Sequence, residues 1–571
     1  MKSLQLGMTI WFCLGCLSAQ TATIELNLLP LTNGFSMAWG ANIGPIASGE
    51  PTNPPVTSGY RNIGVRLIRT HDYYGPLDMR AMYPNQDADP AVPTSYDFTA
   101  SDKVWLAIVT NGFYPYFRLG NSYTNSGPYA PSNEANWAEA GVHVIRRYSD
   151  PTLWGTNALR YVEIWNEPDN ATFWEQGPDA RMKFFAFFAT VALRLRAEFP
   201  DLKIGGPGVT HAAFLKPGVT NYIPEFLSYL RSRNLPLDFL SWHLYSNDPF
   251  DYVRGARFYR SCLDSAGYTN TEQHVTEYNT DNRTDDGVGI RAWLPGAAIN
   301  TAAWMAMQQE NIALATVYRG PDPSIDAPFF YGIFYADGQP KATALAAKLC
   351  NALARCSNRL DVVSNDTNLW VMAGRTGNSV TMLLSNPTTN TITWTLALSD
   401  GREQKNRTLI EIVPASTNAH RRDVIYWSFT TNTMDGPSQT IGPWGVQMVT
   451  FDVLSDYDHW AQTVHGLSGV DAEPDADADS DGQSNWNEFV SGTDPTDAAS
   501  RFRIEVLHVV SGNLVMEWTA VPGRTYRVQT TSSFGTTDTW VDISPDLSNG
   551  FFVHSNITSQ TQFYRLLVLQ P

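Results

Sequence analysis

Cysteine is scarce in this chain, with five in 571 residues. Cys13 and Cys16 fall in an apolar N-terminal segment, which leaves Cys262, Cys350 and Cys356 at irregular spacing. An odd number so spaced argues against a disulfide framework and against a cysteine metal site. A Cys350–Cys356 bridge would need a helix end between them, because on a continuous helix the two point apart. Buried structural thiols are the expectation. Beyond residue 20 no apolar run is long enough for a transmembrane helix. Charge is also sparse, 17 % of residues, and basic residues are the minority, 39 against 56 acidic. The resulting net charge of −17 repels phosphate backbones, so nucleic acid is not an expected partner. No glycine-rich phosphate loop follows the first strand-like segment, which weakens a doubly wound nucleotide-binding sheet.

What is present begins with a leader. Lys2 precedes an apolar stretch over residues 8–17, and Leu17, Ser18 and Ala19 offer a small-residue cleavage position before Gln20. Residues 1–19 therefore read as a secretory signal peptide. This predicts an extracellular or cell-surface location, with the periplasm as an alternative. A lipoprotein reading would use Cys16, but Cys13 stands where such a signal prefers an aliphatic residue. Aromatic residues reach 12 %. Aromatic faces stack on sugar rings, and large β-rich cores use the same residues, so composition does not separate the two.

At roughly 100–200 residues per domain the length allows more than two domains. From residue 23 to 355, short apolar runs alternate with helical patterns. Strands are expected at 35–41, 64–70, 113–119, 161–165, 202–206, 237–245, 274–278 and 312–318. The clearest helices between them are 135–148, 179–199, 223–233, 251–265, 295–311 and 340–354. Several runs are apolar on consecutive positions, as in strands buried on both faces. Eight such units predict an α/β fold, a (β/α)8 barrel. Residues 358–455 switch to alternating β patterns and predict a β-sandwich. Residues 456–500 read as an acidic linker, and 501–571 as a small terminal β-domain.

A (β/α)8 barrel carries its chemistry at the C-terminal ends of its strands. The fourth expected strand runs YVEIWNEPD and ends at Glu167; the seventh runs HVTEYNT and contains Glu277. Two carboxyl groups on different strands can converge over one barrel mouth. Cleavage of a glycosidic bond needs such a pair, one to protonate the departing oxygen and one to attack or to direct water. A lone glutamate at a strand end is more simply structural; two in these polar contexts point to catalysis.

The NEP run at the end of the fourth strand resembles the acid/base motif of clan A glycoside hydrolases. The wider pattern is similar to glycoside hydrolase family 39, which contains β-xylosidases and α-L-iduronidases. The segments that carry the resemblance are VEIWNEPDNATFW (162–174), HVTEYNT (274–280), IRTHDYYGPLDM (68–79), DFLSWHLYS (238–246) and FFYGIFYADGQPKATA (329–344). It spans the barrel and implies a retaining hydrolase acting on oligo- or polysaccharide without a catalytic cofactor. Glu167 would be the acid/base and Glu277 the nucleophile. Asn166 would bind the hydroxyl beside the reacting carbon, Tyr245 would orient Glu277, and His71 and His243 would line the sugar subsite. Trp165 could contact sugar or pack. Arg69, Asp78 and Lys341 stand at matching positions.

The eighth strand departs from the pattern, with Arg319 in Thr316-Val317-Tyr318-Arg319-Gly320-Pro321-Asp322. A guanidinium suits a carboxylate or sulfate, which raises a uronic or sulfated sugar against a neutral xyloside; pairing of Arg319 with Asp322 is the structural alternative. An inactive carbohydrate-binding protein or adhesin on the same fold is the competing class, and a transglycosylase would use the same residues.

The segment DADADSDGQSNWNE fits D-x-D-x-D-G-x5-E through Asp477, Asp479, Asp481, Gly482 and Glu488. With the Gln483 carbonyl and Asn485 these supply the oxygen ligands of a structural Ca²⁺. The segment resembles calcium-binding linker repeats of secreted bacterial proteins. A dockerin has two such repeats and this chain shows one, so cohesin docking is not expected.

Overall fold

The computed structural model describes residues 21–35, 37–45, 56–71, 75–122, 130–155, 159–216, 218–281, 290–324, 327, 330–418, 424–533, 539–555 and 562–569. The expected signal peptide and lipidation site lie outside them. The chain divides into two compact units, one up to Asp452 and one from Val453 onward.

Eight parallel strands close a barrel in chain order. A strand before them, β1 (Ala22–Pro30), belongs elsewhere; the barrel runs from β2 (Ala38–Asn42), β3 (Leu67–Arg69), β4 (Tyr114–Leu119) and β5 (Tyr161–Ile164) through β6 (Lys203–Val209), β7 (Phe239–Tyr245), β8 (Glu272–Asn279) and β9 (Leu314–Val317). All eight overlap the expected strands. They are buried along nearly their whole length, as consecutive apolar positions imply. The six expected helices form, five between these strands and the last, Ala342–Leu353, after β9. Glu134–Ser149, for example, starts where the Asn133 side chain accepts the Asn136 N–H, and carries Glu134 in its first turn and Arg146 and Arg147 in its last.

Leu67, Tyr116, Phe239 and Leu314, with Tyr161 against them, form one apolar cluster inside the barrel. Two residues further along these strands come Arg69, Arg118, Glu163, Ser241 and Thr316, so the next layer is polar. Register then breaks at two places. Trp242 pairs with Val275 but His243 with Glu277, and Pro207 pairs with Ser241 but Val209 with Trp242. Thr276 and Gly208 are thus the extra residues of two bulges, a device that re-aims side chains at barrel rims.

One boundary differs from expectation. Ala22–Pro30 lies within the nine-stranded sheet of residues 358–452, antiparallel to Asn358–Ser364 and parallel to Ile392–Leu398, and not within the barrel. The reason is legible in its burial: Ala22, Ile24, Leu26 and Leu28 are buried while the residues between them are not. That is the pattern of a sheet with one covered face. The sheet region, expected as a β-sandwich, forms one continuous hydrogen-bonded ladder. It meets the barrel through bonds such as Ser385 Oγ to the Ala298 carbonyl, 2.8 Å.

In the second unit the expected linker has a core of its own. Tyr457, Trp460, Trp486 and Phe489 pack with ring centroids 5.4–5.7 Å apart. Two three-stranded sheets follow, built on Leu514, Met516, Trp518, Tyr526 and Val528. Among the described residues no helix is long and apolar enough to cross a membrane. Cys262, Cys350 and Cys356 are free thiols; burial pushes that of Cys350 up to about 12.

Candidate active site

Glu167 and Glu277, 110 positions apart in the chain, meet at the C-terminal mouth of the barrel. One oxygen of each, together with a ring nitrogen of His243, lies within 4.8 Å of the others. Glu167 stands in the turn after β5, where its N–H donates to the Gly208 carbonyl of β6 at 2.9 Å. Trp165 and Glu167 both have left-handed backbones, φ 77° and 45°. Such strain in non-glycine residues concentrates at functional sites. Glu277 owes its direction to the β8 bulge, which turns both Thr276 and Glu277 toward partners across the barrel.

Arg69 ties the site together. Its guanidinium donates to Glu163 (2.7 Å), Asn42 (2.9 Å), Glu277 Oε1 (2.8 Å) and Asn166 Oδ1 (2.8 Å), and it is wholly buried. The last bond fixes the Asn166 amide, because only its oxygen can accept from arginine. Its Nδ2 has no partner among the described residues. Tyr245 donates its hydroxyl to Glu277 Oε2 at 2.6 Å. His71 Nε2 stands 3.5 Å from Glu277 Oε1. His243 Nδ1 lies 2.8 Å from Glu167 and 3.6 Å from Glu277. Asn170 Nδ2 donates to the other oxygen of Glu167 at 2.8 Å.

Burial lifts the Glu277 carboxyl above its usual value. The charge of Arg69 opposes the shift, Glu167 adds to it, and the Tyr245 hydroxyl opposes it. The residue expected as the nucleophile is thus itself raised by its burial. Burial also drives His71 well down and His243 down, which keeps both imidazoles neutral.

Two residues expected as sugar contacts are enclosed by other side chains. Trp165 is 2 % exposed and packs edge-on among Trp174 and Phe187, with its Nε1 on the Phe173 carbonyl. Its ring belongs to the layer outside the strand, the packing alternative. Arg319 is wholly buried, its guanidinium 5.8 Å from the centroid of the Phe330 ring. It is close enough for its charge to act on His71 and Asp322, but Asp322 takes Lys341 as its ion partner, at 2.7 Å.

Glu163 and Thr276 complete the floor of the site and were not singled out from sequence. The available signal was a glutamate in the middle of the otherwise apolar run YVEI. Asp78, from the 68–79 segment, pairs at 2.8 Å with Arg118, and Ser122 is bonded to both.

Residues 52–257 match the family described as Glycosyl hydrolases family 39. The family 39 match includes Arg69, Glu163, Glu167 and His243 and stops short of Glu277. A "Beta-xylosidase" of Geobacillus stearothermophilus is 24 % identical over 250 residues, 38 % of this chain and 47 % of that protein. A "Beta-xylosidase" of Caldicellulosiruptor saccharolyticus is 23 % identical over 204 residues, 33 % of this chain and 38 % of that one. The chain thus spans less than half the length of these curated relatives. A glucosidase structure from Croceicoccus marinus superposes with a TM-score of 0.59 at 23 % identity, covering 76 % of this chain and all of that one. It shares the barrel fold.

A second group of acidic residues lies in the other unit. Asp477, Asp479 and Asp481 place oxygens within 4.8 Å of one another. Glu488 is near enough for their charges, added to burial, to push its carboxyl up to about 7. Glu488 is wholly buried and its Oε2 has no partner among the described residues; nor does Asp479 Oδ2. Gly482, φ 95°, makes the turn. Four carboxylates, two of them with a buried unpartnered oxygen, fit a Ca²⁺ ion. Asn485 directs its amide nitrogen to the carbonyls of Asp471 and Glu473, at 2.8 and 3.0 Å, which leaves its buried Oδ1 without a partner among the described residues, and the Gln483 N–H bonds Asp481.

Proposed function

We propose that this protein is a retaining glycoside hydrolase. The observation that carries the reading is the approach of Glu167 and Glu277 within 4.8 Å, oxygen to oxygen. Retaining enzymes hold their carboxyl groups about 5–5.5 Å apart, whereas inverting enzymes leave about 6.5–9.5 Å for a water. Glu277, held by donors on both oxygens, attacks the anomeric carbon as that carbon's bond to the leaving oxygen breaks. Glu167 gives its proton to that oxygen. Water then attacks the same carbon, Glu167 takes the water's proton, and the bond to Glu277 is released. Asn166, its oxygen held by Arg69, offers its NH2 to the neighbouring sugar hydroxyl, a contact that strengthens in the transition state.

The substrate we propose is a neutral pyranoside of the xyloside class. The names of the two curated relatives support it. The adhesin alternative is disfavoured by an intact, converging carboxylate pair. A screen of aryl glycosides and plant, algal and animal glycans tests the reading. Product anomers should keep the substrate configuration. Glu167→Ala should still cleave activated aryl glycosides, with external azide rescuing the second step. Inverted products, or no turnover of any glycoside, overturn it.

For the second unit we propose a structural calcium ion held by Asp477, Asp479, Asp481, Glu488 and the Gln483 carbonyl. The leader, with its basic start and small-residue cleavage position, supports secretion, where calcium is abundant.

A further inference from the structure

Beneath Glu167 a single line of hydrogen bonds runs to a buried carboxylate. Nδ1 of His243 lies 2.8 Å from Glu167 Oε1, and Nε2 of the same ring lies 3.2 Å from Thr276 Oγ. Thr276 Oγ lies 2.8 Å from Glu163 Oε1, and Glu163 Oε2 takes the Arg69 guanidinium at 2.7 Å. The path crosses β7, β8, β5 and β3. It exists because the extra residue of the β8 bulge, Thr276, turns its hydroxyl inward directly below Glu277. There is little slack: a Cβ on Gly208 would stand 3.1 Å from His243 Nε2 and 3.3 Å from Glu163 Oε1.

From these distances we infer that Glu163 and Thr276 are positioning residues that fix the tautomer of His243 and so keep a proton on the acid/base carboxyl. The inference rests on the glycosidase reading for its catalytic meaning. Proton accounting gives the direction of every bond. Glu163 is ionised: burial would raise its carboxyl, but the charge of the Arg69 guanidinium 2.7 Å away and donors from Ser241 and Arg69 hold it low. A carboxylate only accepts, so Thr276 must give it its one hydroxyl proton. The oxygen of Thr276 can then only accept from His243, which places a proton on Nε2. A neutral ring so protonated has a bare Nδ1. A bare nitrogen facing an ionised carboxylate at 2.8 Å would set two lone pairs against each other. The proton between them comes from Glu167, whose acid form is thereby favoured at rest.

Without this relay the ring could carry its proton on Nδ1 and donate it to ionised Glu167. The pair would then hold one proton fewer, and the acid would be lost. The same arrangement serves the second step: once Glu167 has given up its proton, the bare Nδ1 disfavours the carboxylate and makes it a better base toward water. The charged and titratable groups that face His243 are Glu167, Glu163 and Asp169 from β5 and its turn, Arg69 and His71 from β3 and its loop, and Glu277 from β8. Of these, only Glu163 reaches Nε2 through a hydroxyl.

Nitrogen-15 NMR of labelled histidine tests the relay without any need for turnover, with His243 assigned by loss of its signal in His243→Gln. The unmutated protein should show a protonated Nε2, and Thr276→Val should shift the ring toward the Nδ1–H form. Thr276→Ser, which keeps the hydroxyl, should restore Nε2–H. A neutral Nδ1–H ring in the unmutated protein overturns the inference, and so does a Thr276→Val ring that keeps Nε2–H. In kinetics, the alkaline limb of kcat/KM on an unactivated xyloside should move down by about one pH unit in Thr276→Val, so that turnover at pH 7 falls about tenfold. Activated aryl glycosides, which need little protonation, should be much less affected, and Thr276→Ser should recover the limb. Equal losses on both substrates would mean a merely structural role. If the tautomer shifts as stated but the unmutated protein cleaves no glycoside, the relay stands and the glycosidase reading is what fails.

Discussion

The carboxylates at the barrel mouth and those of the 477–488 loop differ in how their charge is met. Glu163 and Glu167 lie 110 or more positions from Glu277 in the chain, and their oxygens and those of Glu277 meet Arg69, Tyr245, Asn170, Thr276 or His243. Asp477, Asp479, Asp481 and Glu488 come from twelve consecutive residues. Their answering groups are mainly backbone N–H donors, with Arg501 3.3 Å from Asp481. The first group is neutralised by the protein itself, as the proposed proton transfer requires. The second accumulates negative charge, raises Glu488 and leaves room for a cation. Clustered carboxylates are therefore not one kind of site; the cations and donors folded around them decide what they do.

The contrast can be broken most strongly at its two ends. Glu277→Ala should reduce turnover of every glycoside by about 10⁴-fold or more, because the covalent step has no substitute nucleophile. Steady-state kinetics with activated and unactivated substrates checks this, and near wild-type rates would remove Glu277 from the mechanism. Arg69→Met should strip the barrel carboxylates of their neutralising cation. Leaving Glu163 and Glu277 buried and unpaired should cost about 3–5 kcal/mol, read as a lower denaturation midpoint of the barrel unit. A loss below about 1 kcal/mol would mean that this charge balance matters little.

In the loop the proposed cation would be external, so the comparison predicts a metal effect there. Calcium at about a hundredfold its Kd should stabilise the second unit by about 2.7 kcal/mol, and chelation should remove this while barrel turnover persists. Calorimetry with and without chelator distinguishes the outcomes; loss of all turnover on chelation would make the metal more than local. The proton competes for the same oxygens. The Glu488 carboxyl, raised in the fold to about 7 from an ordinary 4.5, holds its proton more tightly when folded. In calcium-free protein its contribution to stability is complete below 4.5 and disappears as pH rises through 7. Calcium affinity should show the reverse, falling about tenfold per pH unit as pH drops below 7.

At the mouth the sign follows from Glu277. A nucleophile must be ionised, and burial raises this carboxyl. The acid limb of kcat/KM should therefore lie above the ordinary carboxylate value, and a limb below it would show that Arg69 and Tyr245 outweigh burial. The smallest effect is expected at Arg319. Its enclosure predicts that Arg319→Ala changes the ratio of neutral to uronic xyloside turnover by less than about twofold. A selective loss of ten- to a hundredfold on the anionic substrate, about 1.5–3 kcal/mol, would restore the anion reading.

Much of this was legible in the sequence because the signals are local. Consecutive apolar runs separated by amphipathic stretches specify strands buried on both faces, and eight of them close a barrel. The spacing from Asp477 to Glu488 is a one-dimensional pattern, so the gathering of its carboxylates needs no distant partner. Glu167 and Glu277 were named from their strand ends. The tertiary structure alone decided what surrounds them. The alternating burial of Ala22–Pro30 could have been read as a strand, but its place beside Ile392–Leu398 is a pairing across the chain. Whether Arg319 meets solvent, and whether Trp165 turns to sugar or to the helix layer, depends on packing by residues far away in sequence. The single-residue bulges at Gly208 and Thr276 leave no compositional trace. Yet a one-residue shift of register reverses which face a side chain takes, and it sets Thr276 and Glu277, neighbours in sequence, side by side over Glu163 and Arg69.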